Sequence, residues 1–127
     1  MITTAEQLLG HVRDALIEKK GVDPVFLDVH GISSVTDFFV IVSGASAPHL
    51  KALAEEVRRR VELGGHAKGR MEGELSSGWL VLDLGDVVVH IFLPELRERY
   101  ALEDLWSDAA RLFEGPQWRV RQGRTNS

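Results

Sequence analysis

The chain has 127 residues, no cysteine, a hydrophobic fraction of 44% and a net charge of −4. This length supports one domain with its own core, while the missing cysteines exclude a disulfide scaffold, thiol catalysis and zinc–thiolate sites. Residues 115–127 carry only Arg119, Arg121 and Arg124, so without those three positive charges residues 1–114 hold −7; such a body is poorly suited to DNA, and it either favours a basic protein surface or serves solubility alone.

Thr3 and Glu6 have the spacing of a capping box, and Ala5, Leu8, Leu9, Val12, Ala15 and Leu16 follow at helical intervals. They predict an amphipathic helix over 4–20, stopped at Gly21. VFLDV (25–29) predicts a short strand, HGISSVT a turn-rich connection, and DFFVIVS (37–43) a buried central strand. Ser43-Gly44-Ala45-Ser46 then leads into a second helix, 47–63, with Ser46 as cap, Pro48 in the first turn and Gly64-Gly65 at the end. Its apolar stripe is Leu50, Leu53, Ala54, Val57 and Val61, with Arg58, Arg59 and Arg60 mostly off that stripe and Glu55, Glu56 and Glu62 as surface partners.

Residues 67–74 predict a strand, followed by a tight hairpin around Gly85-Asp86. Gly followed by Asp suits a type II′ turn, whose first central residue needs positive φ. Leu84, Leu82 and Leu80 then face Val87, Val89 and Ile91 in one aliphatic face. On the other face Asp83 pairs with Val88, Val81 with His90, and Trp79 with Phe92. A slip of one residue would scatter the aliphatic face, so the register is well specified. After Pro94 one or two short helices are expected, about 95–100 and 102–113, before Gly115-Pro116 closes the domain and a flexible tail, 115–127, begins. No apolar run approaches the ~20 residues of a membrane span. The opening MITTAEQ has no apolar signal segment and no transit-peptide character, and a cytoplasmic protein is expected.

The element order αββαβββα predicts an α/β fold: a mixed sheet of about five strands, with helices 4–20 and 47–63 packed on its aliphatic face. The other face mixes aromatics, a carboxylate and an imidazole, so it is either covered by another element or offered to a partner.

Several patterns hint at chemistry. SGAS lies between a buried strand and a helix, where α/β proteins bind phosphate, but it lacks a Walker lysine and GxGxxG spacing. A magnesium-dependent nucleotidyltransferase-like enzyme would use Ser43-Gly44 and carboxylates such as Asp83; Asp86 points elsewhere around the tight turn, and Glu72 and Glu74 share a neighbouring strand face. Imidazole titrates near neutrality, which makes His90 a candidate general base or ligand, but a second ligand at useful spacing is missing, because His11, His30, His49 and His66 are scattered. No cofactor and no metal are expected. In RERYALEDLW, Arg97, Tyr100, Glu103 and Trp106 recur every three residues and share a side if the helix continues. These are residue types that dominate protein interfaces. The simpler alternative is a helix stapled to the sheet, with Tyr100 and Trp106 in the core and Arg97–Glu103 as a local ion pair.

From about Leu9 to Leu112 the chain resembles the ribosomal silencing factor, or Iojap-like, family. The likeness rests on LDVHGISSVTDFFVIVSGAS, Glu72-Gly73 ahead of Trp79, LDLGDVVVHIF, then Arg97, Tyr100, Leu102-Glu103 and Leu105-Trp106, in that order and spacing. It implies a non-enzymatic protein with a nucleotidyltransferase-like sheet. Such a protein binds the large ribosomal subunit through ribosomal protein uL14, blocks subunit joining, represses translation under nutrient limitation and often forms a homodimer when free. Ala45 and His49 depart from the family's usual asparagine and glutamine. By analogy of position, the partner-binding residues implied are Trp79, Asp83, His90, Arg97, Tyr100, Glu103 and Trp106.

Overall fold

Thr3 opens the fold with a complete capping box: its hydroxyl accepts from the Glu6 amide at 3.1 Å, and its own amide donates to the Glu6 carboxylate at 2.9 Å. In this computed structural model, which describes residues 3–100 and 110–112 (Tyr100 and 110–112 by backbone alone), that cap starts α1, Thr4–Glu18. Leu8, Leu9, Val12, Ala15 and Leu16 form its buried stripe. The helix stops two residues short of the expected end. Lys20, not Gly21, takes the left-handed conformation, at φ +59°. Gly21 is required for space instead, because a Cβ there would lie 2.7 Å from the Val42 side chain.

Strand β1 runs Val22–Asp28 and begins three residues before the expected position. Its register against β2 (Phe38–Ser43) shifts between Val22 and Val25, a bulge that accommodates Asp23 and Pro24. In sequence, Gly21-Val-Asp-Pro reads as a turn, so only the pairing reveals that the strand has already begun. Strand β2 is buried along its whole length, as its apolar run predicts. Ser46 caps α2, Ala47–Leu63, by accepting from the His49 amide. Then come β3 (Arg70–Glu74), a single 3-10 turn, the β4–β5 hairpin (Trp79–Asp83 and Val87–Phe92) and α3 (Pro94–Tyr100).

The hairpin has the expected register at every pair from Trp79↔Phe92 to Asp83↔Val88. Gly85 sits at φ +88° in the first central position of the turn, and the Leu84 amide donates to the Val87 carbonyl at 2.9 Å. Both observations agree with the type II′ assignment.

The sheet order is β3-β4-β5-β2-β1-β6, with β2 and β5 parallel and every other neighbour antiparallel. The mixed α/β architecture is as expected, but there are six strands instead of about five. The sixth corrects a helix: Ala110–Leu112, expected inside helix 102–113, is β6, paired with Phe26–Asp28. Three residues carry too little periodicity to announce a strand, and an available sheet edge decides their state. Residues 101–109 and 113–127, with the rest of that expected helix and the tail, lie outside the described residues.

Helices α1 and α2 cover one sheet face. Their stripes pack against Phe26, Phe38, Val40, Val42, Leu80, Leu82, Val87, Val89 and Ile91. Each such burial contributes on the order of 1.5–3 kcal/mol.

Candidate functional site

The second face is read directly from the ladders. Side chains directly opposite one another share a face. Arg70, Glu72 and Glu74 of β3 therefore stand beside Asp83, Val81 and Trp79 of β4. Those in turn stand beside Val88, His90 and Phe92 of β5, and then Phe39, Ile41 and Ser43 of β2. Toward β1 this face is apolar and buried, with Leu27, Val29, Phe39, Ile41 and Phe92 packed together and Leu96 of α3 against them. Toward β3 it becomes exposed and charged. All five β3 residues are exposed at the edge of the sheet.

An aromatic group marks the transition. The His90 ring centre lies 4.6 Å from that of Phe39, 5.8 Å from Trp79 and 6.0 Å from Phe92, and Trp79 lies 4.9 Å from Phe92. The Trp79 indole N–H donates to Nδ1 of His90 at 3.0 Å. That bond requires the neutral tautomer with its proton on Nε2. Burial holds His90 in this state by pushing its pKa down to about 4. The imidazole is thus a neutral acceptor that orients the half-buried indole.

Asp83 ends the polar rim. One carboxylate oxygen accepts from the Gly85 amide at 3.0 Å, and the other lies 3.6 Å from Arg70. Arg70 also approaches Glu72 at 3.9 Å. With its side chain 73% exposed, Arg70 leaves the two acids open to competition from another cation. The β3–β4 register reveals Arg70, which composition and motif did not single out.

Arg97 sits at the opposite end of the face. It donates to the Ser43 hydroxyl at 3.2 Å and to the Val22 carbonyl at 3.3 Å, joining α3 to β1 and β2. Tyr100 belongs to α3 by its backbone, whereas Glu103 and Trp106 lie outside the described residues. The structure therefore brings together Trp79, Asp83 and His90, and it places Arg97 on the same face some distance away.

The SGAS loop engages its own polar groups. The Ala45 amide donates to His49 Nδ1 at 2.9 Å, and His49 Nε2 lies 2.7 Å from the Lys19 carbonyl. Ala45 and His49 are thus coupled, and His49 clasps the loop to the end of α1. Ser43 and Asp83 are not brought together. Asp83 opposes Val88, Val88 opposes Phe39, and Phe39 lies four residues from Ser43, or about 13 Å along the strand. The loop and the carboxylate that the nucleotidyltransferase alternative combines are thus held apart on the sheet.

Fold and face define a small α/β module with an aromatic and charged surface on one side of a mixed sheet. The chain belongs to the family of the ribosomal silencing factor during starvation, RsfS, whose model matches residues 2–126. It is 39% identical over 104 residues to the ribosomal silencing factor RsfS of Halalkalibacterium halodurans, covering 82% of this chain and 89% of that protein. The RsfS of Bacillus subtilis is 41% identical over 92 residues, covering 72% and 78%. A crystal structure of a Chromobacterium violaceum protein superposes with a TM-score of 0.79 at 32% identity, covering 83% of this chain and 88% of that one. The relatives are named for a regulatory rather than a catalytic role.

Proposed function

We propose that this protein binds the large ribosomal subunit through ribosomal protein uL14, sterically blocks its association with the small subunit, and so represses translation under nutrient limitation. Membership of the silencing-factor family supports a ribosome-directed role. The single observation that carries the reading is the Trp79–His90 pair: a neutral imidazole orients an indole beside a rim of exposed charge, on a body that is net acidic. An anchored aromatic flanked by weakly engaged carboxylates matches a basic protein surface with apolar pockets.

In this reading Trp79, Tyr100 and Trp106 are anchors, Asp83 and Glu103 pair with basic side chains of the partner, and His90 and Arg97 orient their neighbours. Residues 1–114 act as one domain in the cytoplasm, and the free protein forms a homodimer. No enzymatic step is required, since occupancy alone obstructs the subunit interface. The test is cosedimentation with isolated large subunits followed by addition of small subunits. The expected result is dose-dependent loss of joined ribosomes with the protein retained on the large subunit; unchanged joining at saturating dose overturns the reading.

A further inference from the structure

On the opposite side of the sheet, away from Trp79, two histidines that sequence spacing kept apart meet between the helices. His11 projects from α1, and His66 follows the end of α2. Their ring centres are 5.4 Å apart with the planes inclined at 62°. His66 Nε2 is buried and has no hydrogen-bond partner among the described residues. A buried ring nitrogen without a partner is a costly arrangement that an additional ligand would relieve. Gly64 closes the site: a Cβ there would lie 2.4 Å from His11 Nε2, so the cap of α2 fits against the imidazole only without a side chain.

We propose that His11 and His66 together bind one borderline divalent transition-metal ion, such as Zn2+. Two imidazoles held about 2.0–2.1 Å from a tetrahedral ion have ring centres roughly 5 Å apart, matching the observed spacing. Imidazole nitrogen selects zinc, nickel or copper over magnesium or calcium. No cluster of three or more His, Cys, Asp or Glu suited to a metal occurs among the described residues. Water therefore completes the coordination, and the site is exchangeable. The ion would tie the middle of α1 to the turn after α2, strengthening the helical layer beneath the sheet. Binding competes with protons and weakens on acidification.

The test uses the full, untagged chain after EDTA treatment, titrated with Zn2+ alone by calorimetry and by NMR of the imidazole nitrogens. The expected result is one ion per chain, with resonances of His11 and His66 moving and those of His30, His49 and His90 unchanged. His11→Gln and His66→Gln should each weaken binding by more than the ~10–100-fold that follows loss of a ligand's supporting hydrogen bond. Gly64→Ala keeps both imidazoles but displaces His11, and should weaken binding at least ~10-fold. If a glutamine variant does not fold, the nitrogen resonances of the wild-type chain decide. The proposal is overturned if Zn2+ leaves both rings unperturbed, if it binds at the other histidines, or if folded His11→Gln and His66→Gln bind it as wild type does.

Discussion

Trp79 and His90 lie diagonally across the β4–β5 hairpin, and the indole of one donates to the imidazole of the other at 3.0 Å. Because Nδ1 must accept, the geometry of a surface tryptophan depends on the protonation of its neighbour.

This relationship sets a pH dependence. The folded His90 is pushed by burial from the ordinary 6.5 to about 4. Between those values the unfolded chain binds the proton and the folded one does not, so stability falls as pH drops from about 6.5 to about 4, and is unaffected by this group above that window. The loss is on the order of 2–3 kcal/mol. Thermal melts between pH 7 and 4 should show a flatter decline for His90→Phe than for the wild type. Parallel declines would contradict the assignment.

A second titration lies on the helical layer. Glu56 accepts from Arg59 at 2.8 and 3.1 Å and from Arg60 at 2.7 Å. The bond to Arg59 is the largest cause holding its carboxyl at about 2, below the ordinary 4.5, against the opposing effect of burial. A depressed carboxylate stabilises the fold above the unfolded value, and this contribution disappears as pH falls from about 4.5 to about 2. Because Arg59 is largely exposed, solvent screening limits it to ~0.5–1 kcal/mol. Glu56→Gln should lose that amount in urea melts at pH 7, and wild type and variant should converge at the acid end.

Two glycines with similar backbone angles should respond differently to alanine. Gly85 at φ +88° faces open space, so Gly85→Ala costs only the left-handed strain, ~1–2 kcal/mol. Gly73 at φ +96° carries the same strain, and its Cβ would fall 2.3 Å from the Trp79 carbonyl oxygen. Gly73→Ala should therefore lose clearly more stability and disturb β3–β4 pairing, readable by denaturation and amide exchange. Equal losses would mean that β3 shifts without cost.

Trp79→Ala should weaken binding to purified uL14 by more than tenfold, or ~2–4 kcal/mol, if the indole is an anchor. Trp79→Phe keeps much of the ring but removes the donor to His90, and should fall between. The measurement is calorimetric titration, with circular dichroism confirming that each variant is folded.

Much of the fold is legible before any coordinates. The capping box at Thr3, the stripes of both long helices and the faces of the hairpin are written in local periodicity, where each residue's environment follows from near neighbours. The start of β1 is not legible, because the bulge at Asp23-Pro24 has the composition of a turn. Nor is β6, whose three residues become a strand only by pairing with β1. The proposed binding surface is half legible: Trp79, Asp83 and His90 follow from hairpin register, while the Arg70–Asp83 pair requires the register of a second ladder.

The order of residues alone determined the two long helices, the central strands, which face of each is apolar, and how β4 meets β5, since these depend on hydrophobic period and turn geometry over a few residues. Tertiary structure decided the sheet order, the separation of Ser43 from Asp83, the link from Arg97 to Ser43 and the meeting of His11 with His66. Those arrangements join residues distant in the chain, and only the packing of completed elements brings them within reach or keeps them apart.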